Sequence, residues 1–318
     1  MNLRSLMSAA FACLLVLAFG CGEDDNGGDR IGPISYLFDP AQVLGTSYEM
    51  NLRIDTNVRV DFFDAPLAYD HEIEMKLDVD FIVGEGGGAA AFYTVKEASM
   101  APVLYLPDGS PGPPTPFINL IYQELVGKVF SAPINENGQP GEWSGIDEMF
   151  EAMRAKAEDL FGEELDPADP FLGTEVAKQW KLTFSALYAP TPPSQLYVDD
   201  AWKGKREASP GVMGDMTYTL ASVENEMARI EFSGELSAVV DVEIDLPDQP
   251  DEGETTYEVA TGTLNGHYMV DTATGLAVRY ESGMVLAAEF ELIDDEDIDL
   301  PSNKVTIRDS ISAALSPK

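Results

Sequence analysis

Two segments near the start of the chain alternate apolar and polar residues for longer than most β-strands last. Met50, Leu52, Ile54, Thr56, Val58, Val60 and Phe62 interleave with Asn51, Arg53, Asp55, Asn57, Arg59 and Asp61. Tyr69, His71, Ile73, Met75, Leu77, Val79 and Phe81 interleave with Asp70, Glu72, Glu74, Lys76, Asp78 and Asp80. Successive strand side chains point to opposite faces, so a period of two predicts one buried face and one wet face. The link over 63–68 is short enough for an antiparallel hairpin. Strands usually run about five or six residues, so these lengths call for a large, twisted or curved sheet. A third strand is expected over 89–96, after the glycine-rich turn at 84–88.

The middle of the chain changes period. Thr115 can cap a helix with Pro116 in its first turn, followed by Phe117, Ile118, Leu120, Ile121, Leu125 and Val126. Ser144 can cap a second helix, whose apolar face carries Ile146, Met149, Phe150, Met153, Ala157, Leu160 and Phe161. Asp147 and Glu148 suit its amino end. A third helical stretch runs over 174–187 and stops before Pro190-Thr191-Pro192-Pro193. Extended segments resume after Trp202, at 216–223, 228–246, 256–271, 276–292 and 304–314. Asn225-Glu226 reads as a turn, and Gly275 closes another by supplying positive φ. Strands, then helices, then strands predict an α+β fold. Its expected form is a large curved antiparallel sheet, half-barrel-like, packed against two or three central helices.

The amino end reads differently. Arg4 precedes an almost wholly apolar run over 6–19, then Gly20, Cys21 and the polar run Gly22-Glu23-Asp24-Asp25-Asn26-Gly27-Gly28-Asp29. A charged start, a short apolar core and a small residue before the cut make a secretory signal. The apolar run is shorter than the roughly 20 residues of a membrane span. Leu17-Ala18-Phe19-Gly20-Cys21 resembles a bacterial lipoprotein signal, although Ala18 and Phe19 depart from the usual leucine followed by a small residue. The resemblance implies acylation of Cys21, which would anchor the chain to a membrane. An ordinary signal peptide cut nearby, with Cys21 incidental, is the plainer alternative. The organisation expected is a signal peptide at 1–20, a flexible acidic tether at 21–33 and one globular domain at 34–318. Gly22 rather than Asp follows the anchor, which favours the outer membrane in a Gram-negative envelope, facing the periplasm or the exterior.

Charge and cysteine content exclude several functions. The formal net charge is −37, and loss of the signal removes Arg4 and makes it one unit more negative. Such a surface repels phosphate backbones, so nucleic acid is excluded as a partner. The two cysteines are Cys13 and Cys21; one leaves with the signal and the other becomes a thioether. The fold therefore relies on its core rather than on disulfides. Apolar content of 45% is ordinary for a globular domain.

Three pieces together resemble a family of uncharacterised, often lipid-anchored bacterial envelope proteins. The first is the helical stretch leading into Pro192-Pro193-Ser194-Gln195-Leu196-Tyr197-Val198-Asp199-Asp200-Ala201-Trp202. The second is Thr217-Tyr218-Thr219-Leu220 with Ala228-Arg229-Ile230. The third is Gly262-Thr263-Leu264-Asn265-Gly266, then Val270-Asp271-Thr272-Ala273-Thr274-Gly275-Leu276. The resemblance spans most of 45–293. Asp199 stands where the family usually has glycine, which loosens the turn there. The family has no assigned activity, so the resemblance implies a class and a location rather than a reaction.

Residues suited to catalysis are sparse. The only histidines are His71 and His267. His71 lies on the apolar register of its strand, so both read as satisfied core or rim histidines. Cys–His catalysis and ordinary zinc sites lack ligands. No G-x-S-x-G elbow, phosphate loop or dinucleotide fingerprint is present. Glu163-Glu164 and Asp199-Asp200 are carboxylate pairs that only geometry could promote to acid–base work. Asp294-Asp295-Glu296-Asp297-Ile298-Asp299 could bind calcium through oxygen, but it lacks EF-hand spacing and reads as a solvated loop. Trp143, Trp180 and Trp202 read as packing anchors. The expectation is a non-enzymatic, lipid-anchored envelope protein. Its site residue is Cys21, for lipid attachment, with no catalytic residue, metal or cofactor. Its partners are the membrane, through the acyl anchor, and a hydrophobic ligand or envelope protein. The alternative is a carboxylate-dependent envelope hydrolase acting on glycans.

Overall fold

The computed structural model describes residues 38–62, 65–84, 88–106, 109–112, 116–162, 164–165, 172–193, 195–242, 256–290 and 303–318. The chain divides into two units, Met1–Gly32 and Pro33–Lys318, and every described residue falls in the second. The long alternating segments form β1 (Ser47–Phe62) and β2 (Ala65–Val83), paired antiparallel with Phe62 opposite Ala65. β3 (Ala89–Tyr105) and β4 (Val129–Ile134) follow. After the helices come β5 (Ala201–Ser209), β6 (Val212–Glu224), β7 (Met227–Val242), β8 (Thr256–Asp271), β9 (Ala277–Phe290) and β10 (Asn303–Pro317).

All ten strands join one antiparallel sheet in the order β4-β3-β2-β1-β10-β9-β8-β7-β6-β5. Every neighbour in that order is also a neighbour in sequence except one. β1 and β10 pair from Tyr48–Pro317 to Asp61–Lys304 and weld the two ends of the domain together. Four short helical pieces complete the described residues: α1 (Pro40–Val43), α2 (Pro116–Tyr122) with a following 3₁₀ turn, α3 (Ile146–Phe161) and α4 (Thr174–Ala186). The expected α+β half-barrel packed on central helices is thus corrected to a mainly β fold. The helices do not separate two strand layers. α1 precedes β1, and α2, α3 and α4 sit in the connections on either side of β4, between β3 and β5, while the strands before and after them belong to the same sheet.

The wet face of β1 and β2 carries the expected charges. Arg53 meets Asp55 and Glu72 at 3.0 Å, and Lys76 meets Glu49 at 3.2 Å. Asp78 is held between Lys96 and Lys318. The opposite face buries Met50, Leu52, Ile73, Met75, Leu77, Val79 and Phe81. An aromatic cluster fixes the helices to this face. Tyr93 of β3 stacks on Phe130 of β4 at 4.9 Å, and Phe184 of α4 lies 4.6 Å from Phe130. Trp180 of α4 meets Phe150 of α3 edge-on at 5.2 Å. Trp143 donates its indole N–H to Ser185 at 2.8 Å. Ser144 does not cap α3, as the sequence suggested. It pairs backbone to backbone with Ser131, and Gly145 takes the cap position at φ 90°. A Cβ there would lie 2.5 Å from the Val129 carbonyl oxygen, so glycine is required for two separate reasons.

The sheet is strongly curled between β5 and β9. Arg206 on β5 donates to the Tyr268 hydroxyl of β8 at 3.0 Å and to that of Tyr280 on β9 at 2.6 Å. Four strand spacings in a flat sheet would separate β5 from β9 by about 19 Å. The guanidinium also stacks over Phe232 of β7 at 5.2 Å. No helix among the described residues is long and apolar enough to cross a membrane, which says nothing of strands.

Candidate ligand-binding cavity

The floor of the site follows from strand register. On β1, Ile54, Thr56 and Val58 share the inner face. Thr56 lies directly across from His71 on β2 and from Asp309 on β10. Ile54 lies across from Ile73 and Ile311, and Val58 from Tyr69 and Ile307. A polar row, His71–Thr56–Asp309, therefore crosses three strands between two rows that are almost wholly hydrophobic. α4 supplies the opposite wall through Val176, Gln179, Trp180 and Thr183, the i, i+3, i+4, i+7 stripe of one helix face. Tyr122, Met284 and Leu286 contribute further walls. The space between these walls, open to solvent on one side, is about 490 Å³, within the range of small-molecule sites.

Three residues on these walls each carry a buried polar atom with no hydrogen-bond partner among the described residues: His71 Nδ1, Gln179 Oε1 and Asp309 Oδ1. Buried polar groups are nearly always paired, and each orphan costs about 1–3 kcal/mol. Burial pushes the His71 pKa down to about 4, against the upward pull of Asp70 and Asp55. That ring is neutral at physiological pH. Burial also raises the Asp309 carboxyl above its ordinary range, opposed by a hydrogen bond from Thr56. Glu175 is the other carboxylate on the walls, at the rim, and it pairs with Lys178 at 2.5 Å.

The residues singled out from sequence are scattered. Cys21, Glu163 and the acidic run at 294–299 lie outside the described residues. His71 is in the cavity wall, and its orphaned Nδ1 corrects the expectation of a satisfied core histidine. His267 is elsewhere, 3.9 Å from Glu281. Asp199 and Asp200 form a turn: Asp199 takes φ 76°, and Asp200 accepts from the Tyr197 N–H at 2.8 Å. The aspartate thus adopts the left-handed conformation that glycine would supply. Trp180 lines the cavity, whereas Trp143 packs in the aromatic cluster and Trp202 stacks on Tyr218 at 5.5 Å. Asp309 and Gln179 were missed. Asp309 had a legible signal, being the one acidic residue on the register Ile307, Asp309, Ile311, Ala313. Gln179 had a weaker one, a polar residue between Val176, Ala177 and Trp180 on an apolar helix face. Among the described residues no cluster of three or more His, Cys, Asp or Glu side chains could hold a metal.

A single curled antiparallel sheet with a ligand-sized cavity under one helix defines the structural class. Residues 95–277 match the model described as a family of unknown function, DUF6263. That match covers more than half of the chain, and the protein belongs to this family. The expectation of an uncharacterised family holds at that level. No curated protein matches the chain. Among solved structures, one described as lipid–protein interactions in lipovitellin is similar at 11% identity and a TM-score of 0.49, over 86% of this chain and 25% of that one. This chain therefore spans only a quarter of that lipovitellin chain. Pseudomonas aeruginosa OccK7 (OpdD) is similar at 8% identity and a TM-score of 0.18, over 86% of this chain and 100% of that one. Both TM-scores are too low for either likeness to bear on function.

Proposed function

We propose that the protein is a lipid-anchored component of the cell envelope that holds a hydrophobic ligand, without catalysis, between its sheet and α4. The observation that carries this reading is the cavity of about 490 Å³ bounded by Ile54, Val58, Ile73, Ile307, Ile311 and Trp180. Ile54, Val58, Ile307 and Ile311 remain only half-buried, although on the same inner register the next positions toward one end of the sheet, Leu52, Met75 and Ala313, are buried. An apolar ligand would remove that surface from water at about 25 cal/mol per Å². Anchorage rests on the sequence around Cys21, and the non-enzymatic reading on the scarcity of histidine and thiol. The test is binding of the neutral fluorophore N-phenyl-1-naphthylamine to wild type and to Ile54→Trp, which fills the floor of the cavity. Saturable binding that falls at least about tenfold in a folded variant supports the reading. No saturable binding, or binding indifferent to the substitution, overturns it.

A further inference from the structure

We infer that the polar end of the ligand is a primary ammonium, received by Asp309, Gln179 and His71, so that the cavity selects amine-bearing amphiphiles over alcohols and fatty acids of equal chain length. This rests on the cavity reading above and gives it a substrate class. Three of the residues that line this one cavity each hold a buried polar atom without a partner, and all three atoms can accept. The Gln179 amide is fixed by its Nε2, which donates to the Ala208 carbonyl at 3.4 Å. Its free atom is therefore the carbonyl oxygen, an acceptor only. An ionised Asp309 accepts only, and neutral imidazole can accept at Nδ1. A primary ammonium offers three N–H donors and no acceptor. It would meet three acceptors and neutralise a carboxylate that no Lys or Arg among the described residues pairs with. A fatty acid brings a second carboxylate and no donor. A hydroxyl brings one donor and no charge. The net charge of −37 also draws cations toward the molecule.

The experiment is displacement of N-phenyl-1-naphthylamine from the full chain by dodecylamine, dodecanol and dodecanoate, at low and high salt. Dodecylamine should displace the probe at a concentration roughly tenfold below dodecanol, with dodecanoate weakest. Part of that preference should survive high salt, because a buried pair is screened less than a surface field. Asp309→Asn is close to isosteric and should bring dodecylamine to the level of dodecanol while leaving dodecanol within about twofold. Gln179→Leu, on a different element, should weaken dodecylamine by about fivefold, so the assignment does not depend on one variant folding. Glu175→Gln, at the exposed rim, should change little. Equal displacement by all three amphiphiles overturns the assignment. So does an amine preference that vanishes in salt, or one that persists in Asp309→Asn, because either belongs to the acidic surface. If even the neutral probe does not bind, the cavity reading itself falls.

Discussion

His71 shows how one residue ties strand register to solution behaviour. The alternation of β2 places it on the inner face, opposite Thr56, where burial lowers its pKa from 6.5 to about 4. The unfolded chain protonates at the ordinary value, and the folded one resists. Stability linked to His71 is therefore complete above about pH 6.5 and is lost as pH falls toward 4. The full effect is about 2–3 kcal/mol, discounted for partial exposure. Asp309 works in the opposite sense, because its raised pKa makes stability fall as pH rises above the ordinary aspartate range. The comparison with a variant, rather than the raw slope, isolates the histidine. Urea unfolding at about pH 7.5 and about pH 5 should show wild type losing roughly 2 kcal/mol, and His71→Phe losing much less. An equal loss in both would show that His71 is not held neutral by burial.

At the scale of elements, the curl between β5 and β9 is built by close backbone contact on β8. A Cβ on Gly266 would overlap the Glu281 carbonyl oxygen and come within 2.6 Å of the Phe232 ring. A Cβ on Gly262 would overlap the Val285 carbonyl oxygen. These glycines let neighbouring strands close in, and Arg206 then clasps Tyr268 and Tyr280 across the curl. Gly266→Ala should cost at least about 2 kcal/mol, because backbone rather than a flexible side chain must move. Gly283→Ala on the neighbouring strand is the control. A Cβ there meets only Asn265 Oδ1, at 3.8 Å, and the change should be within about 0.5 kcal/mol. Denaturation midpoints measure both, and equal costs would show that the close approach does not shape the sheet.

Across the whole molecule, the sheet is a meander whose first and last strands are joined and whose outermost strands are β4 and β5. Lys318 donates to the Ser47 carbonyl at 3.1 Å and pairs with Asp78, so the carboxyl end is tied into the sheet. The anchor proposed above is Cys21. Cys21→Ser should abolish incorporation of labelled fatty acid and release the protein from the membrane fraction. One acyl chain alone binds only marginally, so the multiple chains of a processed lipoprotein are needed for stable attachment. The unfolding midpoint of the domain should be unchanged. If wild type and variant fractionate alike and neither takes up label, the lipoprotein reading is wrong.

Local pattern determined β1, β2, α3 and α4, because a period of two or of 3.6 is written within a dozen residues and needs no distant partner. It also set His71 and Asp309 on inward registers and turns at Asn225-Glu226, which take φ 50° and 66°, and at Gly275, at φ 73°. β4 stayed hidden because it is a short edge strand containing Pro133, a residue tolerated only where no ladder bond is required. The fold class was decided by tertiary structure alone. Strands on either side of the helical stretch look like two blocks until Thr56 is found opposite Asp309, and pairing across so much chain leaves no local mark. The same holds for the cavity. Gln179 lies on a helix far along the chain from His71, and only the packing of α4 over the sheet brings both residues to the walls of one apolar space.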